Sequence, residues 1–165
     1  MLKKIARLRV PLGFVLGAIV LWAADPTPRT LAVGAVIAVL GEAVRIWAAG
    51  HLEKGREVTA SGPYALTRHP LYLGSTIIGL GLAIGAGSRL AAALVLGYLA
   101  VALTAAIRTE EAHLTDKFGD AYPEYRAGRA SAVRGFSFER VMRNREYRAA
   151  VGVLVVLLVL WWKTL

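Results

Sequence analysis

The chain has 165 residues, 56% of them hydrophobic and 19% charged, with a net charge of +9 and no cysteine. The length suits one domain, and a mean hydropathy of +0.53 stands above a soluble average. Disulfides, thiolate metal sites, a cysteine nucleophile and S-palmitoylation are excluded. The cations sit between apolar stretches too long for a soluble domain of this size, which argues for a bilayer with anionic lipid over nucleic acid.

Lys3, Lys4, Arg7 and Arg9 precede the first apolar stretch, Val10 to Ala24, which Asp25-Pro26 ends. This opening reads either as an uncleaved first span or as a signal peptide cut near Ala23-Ala24. The second stretch is Thr30 to Gly50, the third Leu71 to Gly87, the fourth Leu90 to Ile107 and the fifth Ala149 to Trp162. A spanning helix needs ~20 apolar residues, so the first and fifth must borrow interfacial residues or thin the bilayer. Apolarity on all sides over these lengths argues for helix rather than strand. Trp22, Trp47, Trp161 and Trp162 lie at or near stretch ends, where an aromatic belt would place them.

Only Ala86 to Arg89 separates the third and fourth stretches, so the spacing predicts a tight helical hairpin over 71–107. Gly81-x-x-x-Gly85 in its first arm would let another helix approach closely. Past the fourth stretch, Glu110 to Phe118 predicts a further helix, with Leu114 and Phe118 one turn apart. Gly119 ends it, and Pro123 is taken to confirm the break. Arg126 to Arg148 reads as a basic amphipathic segment with Val133, Phe136, Phe138, Val141 and Met142 as interfacial anchors.

Charge sets the expected topology. Besides the four N-terminal cations, Lys54, Arg56 and Arg68 lie between spans two and three, and nine cations lie from Arg108 to Arg148. The other side holds Arg29, Arg89 and Lys163. The positive-inside rule therefore predicts a cytoplasmic N-terminus, 51–70 loop and 108–148 segment. The expected fold is all-α: one integral membrane domain over 1–165, with about five transmembrane helices and a cytoplasmic pocket.

Three groups of residues can carry chemistry. The densest runs from Ser61 to Gly74. Gly62-Pro63 marks a turn, and Pro70 stands where a helix begins. Arg68 and His69 then face the exposed N–H groups of that helix, a place that attracts a carboxylate. Tyr64 and Tyr72 offer flat faces and hydroxyls for an aromatic or cationic ligand. These residues also suit a basic loop that merely caps a span. The second group is Arg108-Thr109-Glu110-Glu111, which the hairpin returns toward Arg68-His69-Pro70; adjacent carboxylates near a low-dielectric boundary need partners. Its plain alternative is an exposed helix start paired with Arg108 and Lys117. The third is Glu42 and Arg45, which share a helix face and can pair, as a functional pair or a self-neutralising one. His51, His69 and His113 lack metal-ligand spacing, so no metal is expected. Gly79-Leu80-Gly81 follows no strand and is no dinucleotide fingerprint.

Val58-Thr59, Ser61-Gly62-Pro63-Tyr64 and Arg68-His69-Pro70-Leu71-Tyr72-Leu73-Gly74 resemble the signature of the isoprenylcysteine carboxyl methyltransferases and the related phospholipid N-methyltransferases. Glu110-Glu111, Leu114, Phe118-Gly119, Tyr122 and Tyr125 resemble that family's second block. The resemblance covers about Ala48 to Arg126 and leaves the segment from Phe136 onward, with the last span at 149–162, without a counterpart. It implies a membrane-embedded enzyme that uses S-adenosylmethionine without a Rossmann fold. The implied cofactor residues are Arg56, Glu57, Val58, Thr59, Tyr64, Arg68, His69, Pro70, Leu71, Tyr72 and Glu110. In the phospholipid branch, Gly79-Leu80-Gly81 and Glu110-Glu111 are read as cofactor motifs. In the prenylcysteine branch an arginine one turn before the glutamates contacts the substrate carboxylate; here that position is Ala106, with Arg108 the nearest cation.

The resemblance thus implies methyl transfer to a membrane lipid or prenylated acceptor that arrives from the bilayer. Arg108 would steer an anionic acceptor, and Glu111, or water it orders, would act as base for an amine acceptor. Two other functions fit parts of the chain: an NADPH-dependent membrane reductase with a similar hairpin, and a small transporter using Glu42 as a proton site.

Overall fold

The computed structural model describes residues 2–128 and 134–165, with side chains from Pro11 onward. Arg129 and Val133, read above as part of the basic segment, lie outside the described residues. All regular elements among the described residues are helical: α1 (Leu2–Ala23), α2 (Pro28–His51), a 3-10 turn (Gly62–Ala65), α3 (Pro70–Gly85), α4 (Arg89–Phe118), α5 (Ala121–Arg126), α6 (Phe138–Arg143) and α7 (Tyr147–Trp162).

Local chemistry explains the boundaries. Thr27 caps α2 by accepting from the Thr30 amide while the Thr30 hydroxyl side answers the Thr27 amide, a reciprocal capping box. Ser88 accepts from the Ala91 amide at the start of α4. Pro70 occupies the first turn of α3, where its missing N–H costs no hydrogen bond. Gly119 stops α4 at a φ of 52°. Two expected breaks are absent. The fourth stretch and the Glu110–Phe118 helix form one 30-residue helix, because nothing between Ile107 and Glu110 disfavours helix. Pro123 interrupts nothing: it lies in the first turns of α5, just past the break that Gly119 makes.

Two helices, α2 and α4, are long and apolar enough to cross a membrane. Only 33% and 17% of their apolar windows are buried within the protein, unlike the core helices of a soluble domain. Leucines, valines and tryptophans lie exposed on their flanks and on α1 and α7, among them Val36, Leu40, Leu154 and Leu158. So much contiguous apolar surface calls for lipid around it. Three further apolar helices, Pro11–Ala23, α3 and α7, are shorter; 16 residues in α3 and in α7 reach about 24 Å at ~1.5 Å per residue.

Glycine sets the closest packing. A Cβ on Gly81 would fall 2.5 Å from the Ala38 amide nitrogen and 2.6 Å from the Gly34 carbonyl oxygen; one on Gly41 would fall 2.6 Å from the Ile78 nitrogen. The backbones of α2 and α3 therefore touch, as small residues allow in membranes. The expected close approach at Gly81 is present, and its partner is α2. α1 lies along α4, with Gly13 against the Tyr98 ring.

The ends of the bundle are tied separately. At one end the Asp25 amide donates to Ala86 O (2.8 Å), and Lys163 Nζ donates to the Leu21, Trp22 and Ala24 carbonyls that close α1. At the other end gather the 52–69 loop, the last turns of α4, α5 and α6. Between them, Arg45 reaches from α2 to Glu146 (2.6 Å) and to Ser75 Oγ (2.5 Å) on α3. The expected Glu42–Arg45 contact exists only at 3.8 Å. Arg45 takes its hydrogen-bonded carboxylate from the start of α7 instead, and Glu42 keeps the longer contact.

Candidate functional site

The site grows from the loop after α2. Gly62 has a φ of 58°, and a Cβ there would fall 2.6 Å from the His51 ring; a residue without side chain is needed for the turn to press on α2. The turn then carries Tyr64, whose carbonyl accepts a 2.7 Å hydrogen bond from the Tyr125 hydroxyl on α5. Val58, Ala60 and Leu114 pack with Tyr122 and Tyr125 beneath it. The chain next delivers Arg68 and His69 to the mouth of α3.

His69 Nε2 lies 3.0 Å from Glu111 Oε1, and Arg68 Nη1 lies 3.6 Å from the same oxygen. The rings of His69 and Tyr72 stand 5.7 Å apart. Tyr122 is 2% exposed, and its hydroxyl faces the Glu111 carboxylate. Burial, reinforced by the neighbouring Glu111 charge, pushes that phenol up to about 12, so it remains a proton donor at physiological pH. Burial likewise raises the Tyr64 phenol, with the charge of Glu110 adding to it. Beside this group opens a cleft of ≈ 540 Å³ lined by Ala60, Tyr64, Thr67, Arg68, Tyr125 and Arg126, among others. Arg68 belongs to both the cleft and the Glu111 cluster.

Of the residues singled out in the sequence, the structure brings together Tyr64, Arg68, His69 and Glu111, with Tyr72 against His69. Glu110 and Arg108 lie on exposed parts of α4, so Glu111 rather than Glu110 meets His69. Pro70 is buried, and the Leu71 carbonyl accepts from Ser75 and Arg45. Thr59 spends its hydroxyl on the Glu53 amide at 3.1 Å. Arg56 is exposed, and Glu57 pairs with Arg134 at 3.1 Å. Ala106, at the position of the prenylcysteine-branch arginine, is 4% exposed. Tyr122, Tyr125, Thr67 and Arg126 were not among the expected cofactor residues. The Ala121-Tyr122-Pro123-Glu124-Tyr125-Arg126 run carried the available signal: two tyrosines three apart, one helical turn, directly after a glycine stop.

The donor set suits S-adenosylmethionine. The arginines at the cleft offer bidentate donors for its carboxylate. The glutamates offer acceptors for its ammonium and ribose hydroxyls, and the tyrosines offer faces for a sulfonium or adenine. The cleft volume lies within the ~300–1,000 Å³ typical of small-molecule sites.

Neither the curated proteins nor the solved structures offer a match to this chain. A family match does exist, to the phospholipid methyltransferases over residues 29–121. It begins at the start of α2, includes the turn, α3 and the whole of α4, and ends where α5 begins. That interval is more than half of the chain and contains the His69–Glu111 contact, and on this match the chain belongs to the phospholipid methyltransferase family.

Proposed function

We propose that this protein transfers a methyl group from S-adenosylmethionine to the head group of a lipidic acceptor at the cytoplasmic face of a membrane. The observation that carries the reading is the meeting of His69 and Arg68 with Glu111 beside an arginine-lined cleft. Bound S-adenosylmethionine would supply an electrophilic methyl on its sulfonium. Arg68 and Arg126 hold a carboxylate at the cleft, and Tyr64 and Tyr72 provide aromatic faces. Glu111 and the exposed Glu110 receive amine or hydroxyl protons. The protein's contribution is chiefly orientation and exclusion of water.

An amine acceptor is favoured over a prenylcysteine carboxylate. No cation stands at position 106, where Ala106 is buried. Glu111, or water it orders, would receive the proton that an amine nitrogen loses on methylation, although the His69 hydrogen bond holds its carboxyl below the usual carboxylate range. Isoprenylcysteine-like carboxyl methylation, with Arg108 steering the anion, is the second reading, and Arg108 is free on the α4 surface to act in it. Incubation of the purified protein with labelled S-adenosylmethionine and a total lipid extract tests both. A labelled amine-headgroup lipid is expected; a base-labile methyl ester would select the second reading, and no labelled lipid at all would defeat both.

Five apolar helices would cross the membrane, α1, α3 and α7 with help from interfacial residues and local thinning. The site end, rich in arginine, would face the cytoplasm. The native chain has no cysteine, so single introduced cysteines report cleanly. A cysteine at Gly128 should be labelled only from the cytoplasmic side of sealed vesicles, and one at Arg89 only from the opposite side. Labelling of both from one side would refute the topology.

A further inference from the structure

The segment from Arg134 to Glu146 lies outside the family match, which ends at residue 121, yet it is bound closely to the site end. α2 ends with carbonyls that no further turn satisfies, and this segment answers them. The Ser137 amide and Arg140 Nε donate to Gly50 O at 3.0 and 2.7 Å. Asn144 Nδ2 donates to Ala49 O and Leu52 O at 2.9 and 3.0 Å. Cations at this end also complement the α2 dipole. The Phe136 ring covers Gly50 and meets the His51 ring edge-on at 6.2 Å.

Glu53 is the hub. It is 7% exposed, and Arg143 grips both of its oxygens at 2.8 Å. Arg134 stands 3.3 Å away and Arg140 3.7 Å. Burial alone would raise its carboxyl, but the Arg143 hydrogen bonds and the three arginine charges prevail and hold it below the usual carboxylate range. From Glu53 the ties run into the loop under the cleft. Its amide donates to Thr59, Arg134 continues to Glu57, and His51 Nδ1 sits 3.3 Å from Ser61 Oγ, next to the Gly62–Ala65 turn that carries Tyr64.

From this network we infer that the Arg134–Glu146 segment is a clamp that positions the 53–64 loop for cofactor binding, with Arg134 as the positioning residue that joins Glu53 to Glu57. It touches the loop and not the cleft, so it acts on how well the cofactor is held and not on the transfer itself. The inference rests on the cofactor reading proposed above.

Arg134→Ala, Arg134→Lys and Glu57→Gln test it in the full-length protein in lipid nanodiscs. Calorimetry with S-adenosylmethionine, steady-state kinetics and hydrogen exchange are compared. Arg134→Ala should raise the dissociation constant and KM for S-adenosylmethionine about two- to fivefold, the range of a partly exposed ion pair. kcat at saturating cofactor should stay within about twofold. Arg134→Lys should recover most of the affinity, Glu57→Gln should show a smaller rise of the same kind, and amides over 53–64 should exchange faster while those of α4 do not. Faster exchange with unchanged affinity would show a merely structural tie and overturn the positioning role, as would a fall in kcat alone. An unmodified protein that binds no S-adenosylmethionine would sink the cofactor reading and the clamp's role in it together, and is told apart by appearing before any substitution is made.

Discussion

Replacement of Glu111 by glutamine is expected to lower kcat/KM for methyl transfer about 10- to 100-fold while leaving the protein folded. The carboxylate receives a 3.0 Å hydrogen bond from His69 and lies 3.6 Å from Arg68. Hydrogen bonds to charged groups contribute about 1.5–3 kcal/mol, and ~1.4 kcal/mol is a factor of ten in rate. Glutamine keeps the shape and loses the charge that orders His69 and Arg68. The side chain of Glu111 is 28% exposed, at the end of the bundle and away from the α2–α3 contact, so the protein should stay folded with a melting temperature lower by only a few degrees. His69→Ala should cost a similar factor. Because the two act as one unit, the double variant should be little worse than the poorer single one. Full activity in Glu111→Gln would show that the His69–Glu111 contact is only a link between helices and would remove the main support for the proposed site.

The second large effect is on folding. Gly81→Leu should prevent stable assembly, at a cost of about 3 kcal/mol or more. Its first side-chain carbon would meet backbone, the Ala38 nitrogen at 2.5 Å and the Gly34 oxygen at 2.6 Å, and backbone atoms cannot rotate aside as a side chain can. Separation of α2 from α3 would also move Arg45 away from Ser75 and displace the mouth of α3, so activity should vanish with stability. Gly97→Leu on α4 is the control, since nothing lies within 4 Å of a Cβ there; it should express and melt as the unmodified protein does. Thermal unfolding in detergent, followed by size exclusion, reads both. A Gly81→Leu protein as stable as the control would mean that α2 and α3 are not in backbone contact.

The helical class, the apolar stretches, the hairpin turn, the Pro70 start and the Gly119 stop were all legible in the residues themselves. Each depends on local chemistry: hydrophobic runs, a fixed proline φ, a glycine that tolerates positive φ. The family likewise was legible from the two residue blocks around the hairpin. Much of the site was not. Adjacent residues on a helix point about 100° apart, so the choice between Glu110 and Glu111 depends on how α4 is rotated against α3, which its neighbours set. A stripe of small residues announces a close helix contact without naming the partner, and here α2 is the partner. Glu42 lay at the right spacing for Arg45, yet a carboxylate 101 positions along the chain took the shorter contact. Arg126, which completes the cleft beside Tyr125, and Arg134 and Arg143, which brace its loop, are polar residues on short or irregular segments with no periodicity to mark them.

What the sequence determined alone, then, is the helical class, the apolar stretches, several of their ends and the chemistry they carry, because propensity, capping and hydropathy act over a few residues. Which faces meet was decided only by the tertiary structure. The rotation of each helix minimises the packing energy of the whole bundle, and in lipid that energy comes from close contact and buried polar pairing between segments far apart in the chain.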